Sequence, residues 1–105
     1  SNSGRDLIYE YINSLPEAEK IDGYTVLQHM EKGEFDKILF KRWEKKVYEV
    51  YFQKNNRVFY ITVDKENIYL LHSCRKQKNK TEKKDANIVR KRAKELGNML
   101  GRKFI

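Results

Sequence analysis

Residues 47–73 read VYEVYFQKNNRVFYITVDKENIYLLHS, and this stretch decides the fold. Three runs rich in Val, Tyr, Phe and Ile are separated by the polar tetrapeptides KNNR and DKEN. Apolar runs of β-branched and aromatic residues, bounded by short polar turns, are typical of antiparallel strands joined by hairpins. We therefore predict a three-stranded meander, to which residues 38–43 add a short fourth strand.

Two short turns set the register that we expect for this sheet. Asparagine tolerates the positive φ angles of a tight hairpin, so Asn55 and Asn56 predict a two-residue turn that pairs Phe52 with Phe59. The partners expected across the second turn are Val63 with Ile68, Ile61 with Leu70, Phe59 with His72 and Arg57 with Cys74. The register matters because strand residues alternate between the two faces of a sheet.

This register divides the strand residues between two faces. One face carries Phe52, Phe59, Ile61, Val63 and Leu70, and it ends in Lys54, Arg57 and His72. The opposite face carries Glu49, Tyr51, Tyr60, Tyr69 and Leu71. We therefore expect one apolar face with a cationic end.

Helical periodicity flanks the sheet on both sides. It predicts a helix over residues 5–14, a second helix that begins at a Ser14 to Glu17 cap and ends near Gly33, and a third over residues 82–100 capped by Thr81. The expected buried positions are Ile21, Tyr24, Leu27 and Met30 on the second helix, and Val89, Ala93, Leu96 and Leu100 on the third. The predicted class is α+β: a helical hairpin packed on a small antiparallel sheet, with a basic C-terminal helix, in one domain over residues 1–105.

The positive charge is concentrated at one end of the chain. Residues 75–105 carry 12 basic and 3 acidic residues, a net of +9, whereas residues 1–74 carry 11 and 12, a net of −1. A localised positive field attracts polyanions, of which nucleic acid is the first expectation and an anionic membrane the second. The membrane is disfavoured because the apolar stripe of the last helix is narrow and has no Trp or Phe.

The sequence lacks the signals that are typical of several classes of protein. The single cysteine, Cys74, has no disulfide partner, and neither a signal peptide nor a membrane-spanning run is present, so a cytoplasmic location is expected. Zinc-binding Cys/His spacing, a P-loop, a dinucleotide fingerprint and a cluster of carboxylates are all missing, and His29 has no partner at ligand spacing. We expect no metal and no small-molecule cofactor.

An ordered set of residues runs through the predicted strands and the basic segment that follows: Tyr48, Glu49, Phe52, Arg57, Tyr60, Leu70, Leu71, His72, Lys76, Lys80 and Thr81. This set resembles the RelE/HigB toxin superfamily, most closely its phage-derived HigB-like branch. The chain departs from that branch at Tyr51, where arginine is usual, and at Glu82, where proline is usual. The resemblance also implies a first strand ahead of Ser3, so an upstream strand of the family is expected to be missing from this sequence.

The resemblance implies a function and partners. Members of the superfamily are toxins of type II toxin–antitoxin modules and act as metal-independent endoribonucleases on mRNA, often on the ribosome. A cognate antitoxin, commonly a helix-turn-helix protein in this branch, neutralises them.

Cleavage of RNA without a metal needs a proton acceptor for the 2′-hydroxyl, cations for the charged phosphorane and a proton donor for the leaving oxygen. Arg57 and Lys76 are the candidates for phosphate stabilisation, and His72 is the candidate acid or base because its ordinary pKa of about 6.5 is near neutral. A lysine with a lowered pKa is the other candidate base. The expected RNA or phosphate contacts are Lys54, Lys78, Lys80, Tyr51, Tyr60, Arg90 and Lys94.

Structural roles remain open for the same residues. His72 also fits the role of a packed residue at a strand end, and Arg57 fits that of a partner of Glu49. The lysine run also fits a solvated turn, and Cys74 also fits a buried structural position. The tyrosines also fit a core under the last helix. A non-catalytic RNA- or ribosome-binding module of phage origin therefore stands as the alternative function, with the same basic helix but no organised proton donor.

Overall fold

The computed structural model describes residues 4–65, 67–76 and 80–105. Its elements are α1 (Arg5–Asn13), α2 (Glu17–Glu31), a 3-10 turn (Phe35–Lys37), β1 (Leu39–Glu44), β2 (Val47–Phe52), β3 (Asn56–Thr62), β4 (Ile68–Arg75) and α3 (Lys83–Leu100). The four strands form one antiparallel sheet in the order β1-β2-β3-β4. The predicted α+β class, the meander and its fourth strand are confirmed.

Helices cover both faces of the sheet. One core, between the sheet and the hairpin of α1 and α2, contains Ile8, Ile12, Val26, Leu27, Met30, Val50, Phe52, Val58, Tyr60 and Leu70. The other, between the sheet and α3, contains Val47, Phe59, Ile61, Leu71, Cys74, Val89, Ala93, Leu96 and Phe104. The strands are almost continuously apolar because successive side chains enter different cores. The expected grouping of Phe52 and Leu70 with Phe59 and Ile61 on one face was wrong, because the first two enter one core and the last two enter the other.

The predicted register between β2 and β3 was also wrong. Phe52 pairs with Asn56 rather than with Phe59, because the turn comprises residues 53–55 and the positive φ angles fall on Lys54 and Asn55. Asn56 is fully buried, and its side-chain hydrogen bonds hold it within β3. An odd shift exchanges faces. Glu49 and Tyr51 therefore lie on the same face as Arg57, not on the opposite one.

The register between β3 and β4 was predicted correctly at one end. Arg57 pairs with Cys74 and Phe59 pairs with His72. An irregularity after Phe59 then shifts the ladder by one residue, so that Ile61 pairs with Tyr69 instead of Leu70. The end of the sheet that carries the candidate residues thus has the expected pairing.

The helices begin and end near the predicted residues but use different caps. Ser14 donates its hydroxyl back to the Tyr11 carbonyl at 2.6 Å instead of capping α2, whose N-cap is Pro16. Thr81 does not cap α3, whose N-cap is Glu82, and its hydroxyl oxygen accepts a hydrogen bond from Trp43 Nε1 at 3.1 Å. Two residues predicted to be buried are exposed, namely Ile21 and Leu100. Within the described ranges, no helix has the length and apolar character needed to cross a bilayer.

Gly97 lies in α3 against the chain that follows the helix, and a Cβ there would stand 2.4 Å from the Arg102 carbonyl oxygen. We expect Gly97→Ala to lower the free energy of unfolding by at least about 1 kcal/mol, although alanine normally favours a helix over glycine by a similar amount. Asn98→Ala, at an exposed position in the same turn, should be neutral or mildly stabilising. Urea denaturation compares the two variants, and equal stabilities would contradict the close packing.

Candidate functional site

Glu49 is a fully buried carboxylate that lies on the α3 face of the sheet, opposite Phe59 of the neighbouring strand. Its Oε1 atom accepts hydrogen bonds from Lys76 Nζ at 2.8 Å and from Arg57 Nε at 3.2 Å. Its Oε2 atom has no hydrogen-bond partner among the described residues. A carboxylate buried in this way requires compensating cations, so Glu49 fixes the positions of both basic side chains.

The two cations differ in how far they reach the surface. Arg57 is 11% exposed and Lys76 is 5% exposed. The Arg57 guanidinium also stacks over the Tyr51 ring, with its central carbon 4.6 Å from the ring centroid, and donates to the Asn56 carbonyl at 3.2 Å. Stacking on an aromatic face is a contact that suits the planar guanidinium group. Arg57 is thus held flat at the edge of the cluster, whereas Lys76 lies beneath the surface.

His72 and Asp85 form a pair beside this cluster. The distance between His72 Nε2 and Asp85 Oδ1 is 2.8 Å, and the imidazole stacks on Phe59 with an interplanar angle of 20°. Because a carboxylate only accepts, we infer that Nε2 carries the proton and that Nδ1 has the lone pair when the ring is neutral. The pair forms only when the first turn of α3 docks on β4, since each element supplies one partner.

Cys74 is buried next to the same pair. Burial and, to a smaller extent, the negative charge of Asp85 together raise the pKa of the Cys74 thiol to about 12. A thiol in this state is a poor nucleophile at neutral pH, because the thiolate is the reactive form. This agrees with a structural position for the side chain in the free protein.

A second polar network holds the same end of the sheet on its helical-hairpin side. Glu19 accepts hydrogen bonds from Asn56 Nδ2 at 2.8 Å and from Arg75 at 2.6 Å. The Tyr11 hydroxyl donates to Asn56 Oδ1, and burial raises the pKa of Tyr11 to about 12. These contacts fix the hairpin turn between β2 and β3 relative to β4, and hence the backbone that carries Arg57.

A cleft of about 490 Å³ opens beside Arg57. Tyr51, Lys54 and Lys37 also line it, and Asp22 is the acidic residue in its wall. Lys54 is exposed in the turn, so the cleft has a cationic rim at which a phosphate group would meet Arg57. The structure thus places three of the predicted residues, Tyr51, Lys54 and Arg57, in one wall.

Tyr60 is not part of this site. It is 2% exposed, lies in the core under the helical hairpin, and stacks on Phe35 with ring centroids 5.7 Å apart. Burial also raises its pKa. We therefore remove Tyr60 from the set of base-stacking candidates.

The other predicted contacts lie farther along the chain. Lys80 and Lys94 are exposed, the first before α3 and the second on it. Arg90 is held by an ion pair to Glu44 at 2.8 Å and lies over the Trp43 ring. Lys78 lies outside the described residues. The α3 cations thus form an outer surface rather than part of the buried cluster.

The structural alternative in which Arg57 pairs with Glu49 is confirmed, but the sequence reasoning missed the bond of Glu49 to Lys76 and the partnership of Asp85 with His72. A signal for the first was present, since Glu49 is the single charge in the apolar run VYEVYF. The second had no local signal, because His72 and Asp85 are brought together only by the packing of α3 on the sheet.

The fold and the cluster define a small α+β protein with a cationic site on one face of a four-stranded sheet. A family model described as phage derived protein Gp49-like (DUF891) matches residues 10–94, and the chain belongs to this family, which is of the RelE-like toxin type. No curated protein and no solved structure matches the chain significantly. The match supports the superfamily resemblance but does not distinguish its HigB-like branch.

We expect Glu49→Gln to lower the free energy of unfolding by about 3 kcal/mol or more, because Lys76 and Arg57 would remain largely buried without a counter-charge. Glu44→Gln is the matched control, since its ion pair with Arg90 is at the surface and should contribute about 1 kcal/mol or less. Urea denaturation of both variants measures the difference. Equal losses would show that the buried cluster is not a structural constraint.

We expect iodoacetamide to alkylate Cys74 in the folded protein at pH 8 at least about a hundredfold more slowly than in the urea-unfolded chain, whose thiol has an ordinary pKa of about 8.5. Mass spectrometry of timed samples gives both rates. Similar rates in the two states would contradict the burial of the thiol.

Proposed function

We propose that this protein is the toxin of a type II toxin–antitoxin pair and acts as a metal-independent mRNA endoribonuclease. The family assignment supports the toxin role. The observation that carries the catalytic role is the convergence, on one sheet face, of the Glu49–Arg57–Lys76 cluster with the His72–Asp85 pair. Together they provide cations for a phosphate and a group that transfers protons.

In the proposed reaction the 2′-hydroxyl oxygen attacks the adjacent phosphorus, and the bond from phosphorus to the 5′-oxygen breaks. His72 takes the proton from the 2′-hydroxyl and delivers it to the leaving 5′-oxygen, and Asp85 holds the imidazole in one tautomer and stabilises its protonated form. The products are a 2′,3′-cyclic phosphate and a 5′-hydroxyl. No step requires a metal ion as nucleophile or acid.

Arg57 and Lys76 have different parts in this proposal. Arg57 lines the cleft and is the group that contacts the phosphate, where its planar donors suit an oxyanion. Lys76 lies below the surface and supplies a second positive charge. This charge is needed because the carboxylate of Glu49 would otherwise cancel the charge of Arg57. With Lys76 the three groups carry one net positive charge, which favours the developing charge of the phosphorane.

Exposed groups supply the remaining contacts to RNA. Lys54 and the half-buried Tyr51 lie in the cleft wall, and the exposed Lys80 and Lys94 continue the positive surface toward and along α3. Such contacts follow the phosphate backbone and depend on salt concentration. We further propose membership of the HigB-like branch, mRNA on the ribosome as the substrate, and a helix-turn-helix antitoxin as the partner.

One observation favours the non-catalytic alternative, an RNA- or ribosome-binding module. Both cluster cations already bind Glu49, so exposed lysines would account for RNA binding without chemistry. The two functions differ in turnover. Cleaved RNA with a pH-dependent rate supports the enzyme, whereas salt-sensitive binding that leaves RNA intact supports the module.

We expect Arg57→Ala to reduce mRNA cleavage at least about a hundredfold, which is the usual cost of removing one donor that stabilises transition-state charge. Lys76→Ala should also relieve growth inhibition. Growth after induction and mapping of cleaved mRNA are the measurements, and Arg42→Ala, at an exposed position in β1, is the matched control. Unchanged toxicity in both variants would overturn the assignment.

Circular dichroism and thermal unfolding must accompany these assays, because Lys76→Ala leaves Glu49 with one cation. A variant that remains folded but is inactive identifies a functional group. Arg57→Lys is a second variant that tests the role of the same position. It keeps the charge but lacks the planar donors, so it should regain only part of the activity.

A further inference from the structure

Three metal-ligating side chains of different chemistry converge beneath α3, namely His72 and Cys74 of β4 and Asp85 of α3. An imidazole nitrogen, the thiol sulfur and a carboxylate oxygen all lie within 4.8 Å of one another. Cys74 and Asp85 are each 8% exposed. Across the described ranges, this is the one group of three or more His, Cys, Asp or Glu side chains with such spacing.

The three residues are positioned by regular structure rather than by a loop. His72 and Cys74 are two apart in β4, so they share a face, and each is paired with a residue of β3. Asp85 lies in the first turn of α3. The backbone of the set is therefore ordered before any ligand arrives, which lowers the entropic cost of binding.

The spacing matches a tetrahedral metal ion after small side-chain shifts. Bonds of about 2.0–2.2 Å to nitrogen or oxygen and about 2.3 Å to sulfur place the ligand atoms roughly 3.3–3.8 Å apart. The present separations range from 2.8 Å, between His72 Nε2 and Asp85 Oδ1, up to 4.8 Å at most. Movements of about 1 Å, within rotamer flexibility, bring all three into range.

The chemistry of the set selects the ion. One sulfur, one nitrogen and one oxygen ligand suit a borderline-soft ion such as Zn²⁺, whereas Mg²⁺ and Ca²⁺ prefer oxygen alone. A thiolate, a carboxylate and a neutral imidazole together balance a divalent charge. The nearby Arg57 and Lys76 are both paired with Glu49, which moderates their repulsion of the ion.

We propose that His72, Cys74 and Asp85 form a binding site for a thiophilic divalent metal ion, with Zn²⁺ as the expected ligand. Formation of the metal–sulfur bond releases the Cys74 thiol proton to solvent, and a water molecule completes the coordination. Zinc sites are predicted from sequence by paired Cys and His motifs at fixed spacing. This three-ligand set contains no such motif, so the sequence did not predict it.

Metal binding also has a consequence for activity, which rests on the proposed function. An ion held by His72 and Asp85 occupies the pair that transfers the proton. Zn²⁺ is therefore expected to switch RNA cleavage off, and a chelator to restore it. Metal binding itself is independent of that consequence and has its own readout.

The test is a titration of the purified chain with Co²⁺, a spectroscopic substitute for Zn²⁺. We expect a sulfur-to-cobalt charge-transfer band in the near ultraviolet and intense visible bands of tetrahedral Co²⁺, both abolished by added Zn²⁺. Cys74→Ser should lose the charge-transfer band and bind Zn²⁺ at least about tenfold more weakly. His29→Gln is the matched control, because His29 lies on α2, where its Nδ1 atom is 3.0 Å from Glu34 Oε1. It should behave like the parent.

Two outcomes overturn the site: no thiolate band in the folded parent, or equal Zn²⁺ affinity in the parent and in Cys74→Ser. Cys74→Ala, checked by circular dichroism, replaces the serine variant if that variant does not fold. RNA cleavage separates the two proposals, because Cys74→Ser should cleave normally and resist Zn²⁺. A thiolate band without RNA cleavage under any condition supports the metal site and contradicts the proposed function.

Discussion

The buried carboxylate of Glu49 is the constraint on which the candidate site depends. A carboxylate removed from water within a sheet must be neutralised, and Arg57 and Lys76 do this through the same oxygen atom. Lys76 directly follows β4, so its hydrogen bond to Glu49 holds the end of β4 on the α3 side of the sheet. The bond from Trp43 to Thr81 holds the start of α3 over the same face. The carboxylate thus ties β2 to β3 and to the end of β4.

This arrangement also supports the functional proposal. A buried ion cluster is a poor source of stability, since well-packed apolar residues often do as well or better. What such a cluster provides is positive charge at a fixed place, with Arg57 at a cleft and His72 on the same face of the sheet. An anionic phosphate is a ligand that would use both. The proposed metal site shares His72 with this arrangement, so one side chain connects the proposed catalysis with its proposed inhibition.

Local patterns were sufficient to predict the elements of the fold. The helix bounds, the fourth strand, the antiparallel order and the pairing of Phe59 with His72 all follow from periodicity and turn composition. The position of the turn between β2 and β3 did not follow from these patterns, because the adjacent asparagines offered two ways to place the positive φ angles. The choice was made by the burial of Asn56 and its contacts with α1 and α2. An error of three residues then placed Glu49 and Tyr51 on the wrong face.

The chemical partners were harder to predict than the elements. The pair His72–Asp85 joins segments whose meeting depends on how α3 packs, and the pair Glu49–Lys76 joins β2 to the residue after β4. No sequence spacing encodes either contact. The ends of the RNA fragments formed in a translation extract test the proposal that this face cleaves RNA by attack of the 2′-hydroxyl. We expect 2′,3′-cyclic phosphate on the upstream fragment and a 5′-hydroxyl on the downstream one. Intact RNA, or fragments with 5′-phosphate ends, would contradict it.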